Sequence, residues 1–266
     1  MDYSQHKKNG IVIIGAGNVA THIALALKNA GYCIKKIYSQ TEKSAESLAK
    51  KINTPYTTRL ETLPDNADIY IISIKDTAIE DIARNLKIQK GIVVHTAGSV
   101  PMSVFETYFD NFGVFYPLQT FTKSRALDFS EIPICIEANS SETENKLLAL
   151  AESLSKKVEL INSEKRKILH LAAVFACNFT NHMYNIGSEL LGENNIDFNL
   201  LHPLINETAK KANEMNPLDA QTGPAMRKDK KTIDMHVKML KDYPEFEKIY
   251  RFVSDSIYKL NKKTDS

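Results

Sequence analysis

The feature that most constrains the fold is a glycine-rich turn near the start of the chain. The β-branched run Ile11 to Ile14 leads directly into the segment GAGNVA at 15–20. Apolar residues then recur at helical spacing as far as Gly31, and a second apolar run begins at Ile34. A strand, a G-x-G-x-x-A turn, a helix and a further strand form the unit that binds dinucleotides in many α/β proteins.

Each position of this turn has a physical role. Gly15 permits the tight turn, Gly17 lets a pyrophosphate approach without meeting a Cβ, and Ala20 lets the helix pack closely on the sheet. The first N–H groups of the helix have no partner within it and can bind phosphate. The alternative is a glycine turn with a structural role only. We predict that the cofactor's pyrophosphate contacts Gly15, Ala16, Gly17, Asn18 and Val19.

The end of the second strand indicates which dinucleotide binds. An NAD site usually carries an acidic residue here to hold the ribose 2′-hydroxyl, but this chain has Ser39 and Gln40, with Lys43 shortly after. Hydroxyl groups beside a cation suit a 2′-phosphate, although the hydroxyls can also cap the next helix. We therefore predict NADP (NADPH) as the cofactor, bound at this end by Ser39, Gln40 and Lys43.

Strand and helix patterns alternate up to about residue 162. Apolar runs predict strands at 69–74, 92–94, 114–116, 132–136 and 158–161, and helical patterns cover 42–52, 78–86 and 142–154. This alternation is typical of a mostly parallel, Rossmann-type sheet with helices on both faces. Ligands of such sheets lie at the carboxyl ends of the strands. That rule adds five predicted cofactor contacts: Ser73, Ile74, Lys75, Thr77 and Thr96.

Beyond residue 162 the pattern becomes entirely helical. The stretch 164–191 lacks proline and predicts one long helix with Ser163 as its N-cap, and 200–215, 230–240 and 244–260 also have helical patterns. We divide the chain into a Rossmann-type domain, residues 1–162, and an all-helical domain, residues 163–266. About 100 residues of helix form a small core. We expect them to pack on the first domain or on a second copy of the chain.

Composition excludes several classes of function. The formal net charge is only +2, which gives no electrostatic case for nucleic acid as a partner. No run approaches the roughly 20 apolar residues of a membrane span, and the polar start precedes too short an apolar run for a secretory signal. The three cysteines are far apart, the histidines lack metal-ligand spacing, and Cys177 is predicted to be a buried thiol. We expect a cytoplasmic protein without a metal.

Histidines are the main candidates for acid–base chemistry. His95 follows an apolar strand and precedes small residues, at the edge where a nicotinamide would lie. His170, Asn178 and His182 fall at multiples of four residues in the long apolar helix, and such a polar file must be hydrogen-bonded or line a cavity. We predict His95, His170 and Asn178 as catalytic residues, with His182 beside the substrate. A hydrogen-bonded structural role is the alternative for each histidine.

The segment TGPAMRKD at 222–229 is the other dense polar patch. Arg227 lies in a Gly-Pro loop at a helix start, where a guanidinium can bind a substrate carboxylate through two hydrogen bonds. His236 follows on the same predicted helix, and Asp229 is a candidate N-cap. We predict Arg227 and His236 as substrate contacts.

These segments together resemble a family of Rossmann-like proteins with a C-terminal domain of unknown function. That family is grouped with the deazaflavin-dependent NADP oxidoreductases and pyrroline-5-carboxylate reductases. The matching segments are IVIIGAGNVA, HTAGS at 95–99, YPLQTF at 116–121, HLAAVFACNF at 170–179, and TGPAMRKD with His236.

The resemblance implies an NADP-binding Rossmann domain and a helical domain like those of 6-phosphogluconate dehydrogenase relatives. It also implies a homodimer built through the helices. The chain differs from the family pattern at Ala97, Tyr116 and Lys228, where many members carry Ser, His and Gly. The superfamily's lysine–asparagine catalytic pair is not evident in this chain: Asn178 could supply the asparagine, but His170 stands where the lysine would be expected. No residue requires a deazaflavin.

Two functions fit these observations. The first is an NADP-dependent oxidoreductase that transfers a hydride between NADP(H) and a small, carboxylated metabolite bound between the domains. The second is a non-catalytic NADP-binding sensor or regulatory protein. An enclosed polar pocket containing His170 and Asn178 would favour the enzyme.

Overall fold

The computed structural model describes residues 10–262, so the polar start that argued against a secretory signal lies outside the described residues. The chain forms two compact units that divide after Cys177. The domain boundary at residue 162 is a sequence-based division and stays a prediction.

The first unit contains one eight-stranded sheet. Its strands are β1 (Gly10–Ile14), β2 (Cys33–Tyr38), β3 (Tyr56–Thr57), β4 (Ile69–Ile72), β5 (Ile92–His95), β6 (Phe112–Pro117), β7 (Ile134–Ala138) and β8 (Val158–Leu160). They lie in the order β3-β2-β1-β4-β5-β6-β7-β8, and only the β6–β7 pairing is antiparallel. The predicted Rossmann-type architecture is confirmed. The two-residue strand β3 is too short to stand out in the sequence.

Alternate strand residues bury two opposite faces of this sheet. Ile11 and Ile13 of β1 face a core that includes helix residues such as Ala20, while Val12 and Ile14 face a second core. The helices of this unit are α1 (Asn18–Asn29), α2 (Glu42–Ile52), α3 (Ile79–Asn85), α4 (Ser141–Glu152) and α5 (Ser163–Ala173). The carboxyl ends of β1, β4, β5 and β6 share one edge of the sheet because these strands are parallel.

The long helix predicted for 164–191 is interrupted. A π-helical segment, Val174–Phe179, separates α5 from α6 (Thr180–Glu193). Four-residue spacing marks one helix face only at about 3.6 residues per turn. The π-helical segment changes this spacing between His170 and His182. The prediction that His170, Asn178 and His182 share one helix face therefore rests on a periodicity that is absent from the structure.

Two further predictions are wrong at the residue level. Asn162, not Ser163, caps α5, since its side chain accepts a hydrogen bond from the Lys165 N–H at 2.9 Å. The Ser163 hydroxyl instead donates to Glu137 at 2.7 Å. Cys177, predicted to be buried, is exposed, and it lies within the π-helical segment.

The regular elements described in the second unit are all helices. After α6 come α7 (His202–Glu214), α8 (Lys230–Met239) and α9 (Pro244–Lys262). Asp229 caps α8 as predicted, by accepting from the Thr232 N–H at 3.1 Å. Over residues 178–262 only Ala225 and Leu240 are buried. These helices therefore have almost no core of their own in a single chain.

Between residues 10 and 262 no helix is both long and apolar enough to cross a membrane. Over the same range no cluster of three or more His, Cys, Asp or Glu side chains is placed to hold a metal ion.

Candidate active site

The glycine turn has the geometry that its sequence predicts. Gly15 has a φ of +125°, and a Cβ there would lie 2.0 Å from the Ser73 carbonyl oxygen, so only glycine fits. Gly17 has an ordinary φ of −77°, and a Cβ there would meet no atom within 4 Å. Gly15 is therefore required by the fold, whereas the absent Cβ of Gly17 leaves open space above the turn.

The start of α1 fits a phosphate group. Gly17 stands at the N-cap position and supplies no side chain, and the first helical turn contains no acidic residue. The N–H groups of Asn18 and Val19 thus begin a helix that no side chain caps. Unpaired amides, the positive end of the helix dipole and the space above Gly17 suit a pyrophosphate.

A row of contacts leads from this turn along the carboxyl edge of the sheet. Ser73 follows β4 against Gly15, and the Thr96 hydroxyl, which follows β5, donates to the Ser73 hydroxyl at 3.1 Å. The predicted contacts Lys75 and Thr77 are exposed beyond this row. Asp76 is also exposed, and its carboxylate accepts a hydrogen bond from the Ser99 hydroxyl. The structure thus brings the residues after β1, β4 and β5 together.

The end of β2 carries polar groups and no carboxylate before Glu42. The Ser39 N–H donates to the Thr57 carbonyl of β3 at 3.2 Å, which fixes the backbone while Gln40 and Lys43 stay exposed. A hydroxyl in this segment could instead cap α2. Thr41 stands at that N-cap position, but its hydroxyl donates to the Ser44 side chain and accepts no backbone N–H. The group is accessible and fits a 2′-phosphate.

The structure does not place His95 in the crevice. Its ring is fully buried and lies 5.4 Å from the Phe105 ring between centroids. Its Nδ1 accepts from the Ala97 N–H at 3.2 Å, and burial, with help from the Arg166 charge, lowers its pKa to about 3. A neutral, inaccessible imidazole does not fit the acid or base predicted for this position.

His170 does lie at the carboxyl edge, and it has a partner that the sequence did not indicate. Its Nδ1 is 3.1 Å from the Tyr116 hydroxyl, and the two rings meet edge to face with centroids 6.1 Å apart. Tyr116 lies near the carboxyl end of β6, which pairs in parallel with β5. It is therefore at the same edge of the sheet. His170 is half-buried, so this imidazole, unlike that of His95, can reach a ligand.

A buried ion pair fixes α5 against the sheet one helical turn before His170. Arg166 is fully buried and pairs with Glu137 of β7, and it donates to the Val100 carbonyl at 2.5 Å. Residues four apart share one face of an α-helix. That spacing was the available sequence signal that Arg166 and His170 point the same way.

The remaining predicted site residues lie in the second unit. Asn178, His182 and Arg227 are exposed, and His236 is half-buried with its Nδ1 2.9 Å from the Tyr250 hydroxyl. Among residues 178–262 no hydrogen bond joins any two of these four side chains. Their catalytic and substrate-binding roles stay predictions.

The sheet order and the glycine turn define the class of the protein: a Rossmann-type dinucleotide-binding protein. The domain family described as "NADP oxidoreductase coenzyme F420-dependent" matches residues 10–98, and a domain of unknown function (DUF2520) matches residues 132–257. The chain belongs to the NADP oxidoreductase family in which these two domains follow one another.

Solved structures agree with this assignment. A protein of Bacteroides fragilis, provisionally described as an NADP oxidoreductase, is 48% identical, with a TM-score of 0.90 over 94% of this chain and 98% of that one. A 1-pyrroline-5-carboxylate reductase of Streptococcus pyogenes (16% identity, TM-score 0.64, 94% and 98% covered) shares the fold. So does an imine reductase of Myxococcus stipitatus bound to NADP⁺ (14%, 0.63, 96% and 93%). No curated protein sequence matches the chain.

Proposed function

We propose that the protein is a cytoplasmic oxidoreductase that transfers a hydride between NADP(H) and a small, carboxylated metabolite. The observation that carries this proposal is the open space above Gly17 at the uncapped start of α1. A glycine turn with only a structural role needs Gly15 but not Gly17, because a Cβ at Gly17 would touch nothing. A bound pyrophosphate accounts for both glycines.

The chain's residues divide the work of holding the cofactor. Backbone amides from Ala16 to Val19 would bind the pyrophosphate, with Gly15 and Ile74 beside them. Ser39, Gln40 and Lys43 would bind the 2′-phosphate. The Ser73–Thr96 row would support the nicotinamide end of the crevice. A nicotinamide bound there supplies the hydride, and the protein supplies position and a proton.

His170 is the residue best placed to handle that proton. It is half-buried at the same edge of the sheet as the Ser73–Thr96 row, and Tyr116 occupies only one of its ring nitrogens. Arg227, exposed in the second unit, would bind the substrate carboxylate.

Calorimetric titration with NADPH tests the cofactor assignment. Gly17→Ala places a methyl group where the pyrophosphate would approach, so we expect its Kd for NADPH to rise at least about tenfold. Gly192→Ala adds the same methyl group at another position with open space, in α6, and should bind as the wild type does. Equal Kd values for all three proteins would contradict a pyrophosphate at this turn.

The choice of dinucleotide has its own variant. Lys43→Ala removes a cation that only NADPH would contact, so it should weaken NADPH binding several-fold and leave NADH binding unchanged. An equal loss of affinity for NADPH and NADH in Lys43→Ala would show that Lys43 does not bind the 2′-phosphate.

Turnover separates the enzyme from the sensor. The absorbance of NADPH is followed with cyclic imine carboxylates and 2-oxo acids, each beside its decarboxylated analogue. Oxidation with a carboxylated compound, lost in His170→Gln, is the expected result. Tight NADPH binding without oxidation by any compound would favour the regulatory protein.

A further inference from the structure

Tyr116 and His170 form a hydrogen-bonded pair across 54 residues of sequence. Tyr116 lies in β6 beside the antiparallel strand β7, and His170 lies in the last turn of α5. Their hydrogen bond is 3.1 Å long and uses Nδ1 of the imidazole. Nε2 makes no hydrogen bond within residues 10–262, so it is the nitrogen left for a ligand.

The backbone at Gly98 also packs against the His170 side chain. A Cβ at Gly98 would lie 2.5 Å from Nδ1 and 2.6 Å from Cγ of His170, closer than any real contact. The imidazole therefore packs directly on the backbone that follows β5. The close approach of Gly98 and the hydrogen bond to Tyr116 both restrict rotation of the ring, and the ring presents Nδ1 to Tyr116.

The chemistry of Tyr116 decides the direction of this hydrogen bond. The phenol is only 9% exposed, and burial raises its pKa to about 12, so it keeps its proton at neutral pH. The charged or titratable groups that act on it are Cys135 of β7, Arg166 of α5, Asp76 after β4, and Cys177. A buried O–H group requires an acceptor. His170 Nδ1 is that acceptor when the imidazole is neutral.

We propose that Tyr116 is a positioning residue that keeps a proton on His170 Nε2, which makes His170 a proton donor. In the neutral imidazole, the Tyr116 hydroxyl donates to Nδ1 and the ring proton stays on Nε2. In the imidazolium, Nδ1–H donates to the Tyr116 oxygen and Nε2 is again protonated. Nε2–H can therefore donate a hydrogen bond to a C=O or C=N group in both charge states, and the imidazolium can transfer that proton as the group is reduced. This inference rests on the proposed function and gives it a direction.

The proton step balances with the hydride that a bound nicotinamide gives to the substrate carbon. The π electron pair of the C=O or C=N bond takes the Nε2 proton, and an O–H or N–H bond forms at the heteroatom. His170 is left neutral with its remaining proton on Nδ1, where it donates to the Tyr116 oxygen. A proton taken from solvent at Nε2 then restores the imidazolium. The sum is one substrate, one NADPH and one proton giving the reduced product and NADP⁺.

Nitrogen-15 NMR of histidine-labelled protein tests the pair without a substrate. The signals of His170 are assigned from their loss in His170→Gln, and one-bond couplings show which nitrogen carries the proton. We expect wild-type His170, when neutral, to be a single tautomer with the proton on Nε2. Tyr116→Phe removes only the hydroxyl and should give a mixture of tautomers. A wild-type proton on Nδ1, or unchanged signals in Tyr116→Phe, would overturn the proposal.

Tyr250→Phe is the matched control, because the Tyr250 hydroxyl lies 2.9 Å from His236 Nδ1. It removes the same group from a similar pair in the second unit. It should alter the signals of His236 and leave those of His170 as in the wild type. A change at His170 in this control as well would show that loss of a tyrosine hydroxyl acts on His170 through the fold, and the proposed pairing would be wrong.

Kinetics provide the second measurement, on whichever compound supports NADPH oxidation. Tyr116→Phe should lower kcat about 10- to 100-fold and change KM by less than twofold. Tyr116→His, which keeps a hydrogen-bonding group, should recover part of that loss. Unchanged kcat in Tyr116→Phe would overturn the proposal. Failure of NADPH to bind would instead contradict the proposed function, while the NMR result would still report on the pair.

Discussion

The burial of His95 makes protein stability depend on pH. Its pKa is lowered to about 3 in the folded protein, mainly by burial, from an ordinary value of 6.5. Between these values the unfolded chain binds a proton that the folded protein does not. Stability is therefore fully present above pH 6.5 and is lost as the pH falls toward 3, by up to about 1.4 kcal/mol per pH unit.

His95→Asn tests this dependence, because the Asn carboxamide oxygen can accept from the Ala97 N–H as Nδ1 does. Urea unfolding is measured in steps from pH 8 to pH 4.5. At pH 8 the variant reports the cost of the smaller buried side chain, including the lost contact with Phe105. Below pH 6.5 its stability should fall less steeply than that of the wild type. Parallel curves would show that His95 titrates normally in the folded protein.

The sequence contained a sign of this burial. In a strand, residues two apart point to the same face. Val93 and His95 are two apart in β5, and Val93 belongs to the buried core beside Phe105. The side-chain alternation of β5 therefore indicates that the His95 ring points into the same core as Val93. The partnership of Tyr116 and His170 had no such signal, because it depends on how α5 packs against strands more than 50 residues away.

At the scale of elements, the loop before α8 contains a strained residue. Lys228 has a φ of +54°, in the left-handed region that favours glycine. Its ammonium group lies 4.7 Å from the centre of the Tyr258 ring. A cation–π contact of this kind offsets part of the strain.

Two variants at this position separate the strain from the ring contact. Lys228→Ala and Lys228→Gly both remove the ammonium group, but only glycine relieves the left-handed conformation. The Gly variant should therefore be more stable than the Ala variant by about 1 kcal/mol. Urea unfolding of the two proteins under identical conditions measures the difference. Equal stability would mean that residue 228 does not hold a positive φ in solution.

Elements with a strong local pattern were predicted well from sequence. Helix α2 and the start of α8 match their predicted bounds, because an apolar stripe defines one and the Asp229 cap begins the other. The π-helical segment Val174–Phe179 was missed, since one widened turn does not change the composition of an apolar helix. Asn and Ser both favour the N-cap position of a helix, so the sequence does not distinguish Asn162 from Ser163. The backbone geometry shows that Asn162 is the N-cap of α5.

At the scale of the whole molecule, the distribution of exposed apolar groups is uneven. Of the large hydrophobic side chains that are exposed in residues 10–262, all but Tyr56 lie at or beyond Leu160. Ile168 and Leu171 of α5 are 68% and 54% exposed, and they are three residues apart on one helix face. Monomeric proteins rarely expose apolar area on this scale. A second copy of the chain is the occupant that we propose, as the family resemblance also implies.

Sedimentation velocity over a range of protein concentrations tests this homodimer. Ile168→Gln/Leu171→Gln replaces two apolar contacts with polar groups of similar length, so the dimer dissociation constant should rise at least about tenfold. Glu164→Gln/Lys165→Gln, on exposed positions of the same helix, changes two side chains without removing apolar surface and should stay dimeric. A wild-type protein that is monomeric at tens of micromolar would contradict the dimer. An unchanged dissociation constant in the first variant would instead place the interface away from α5.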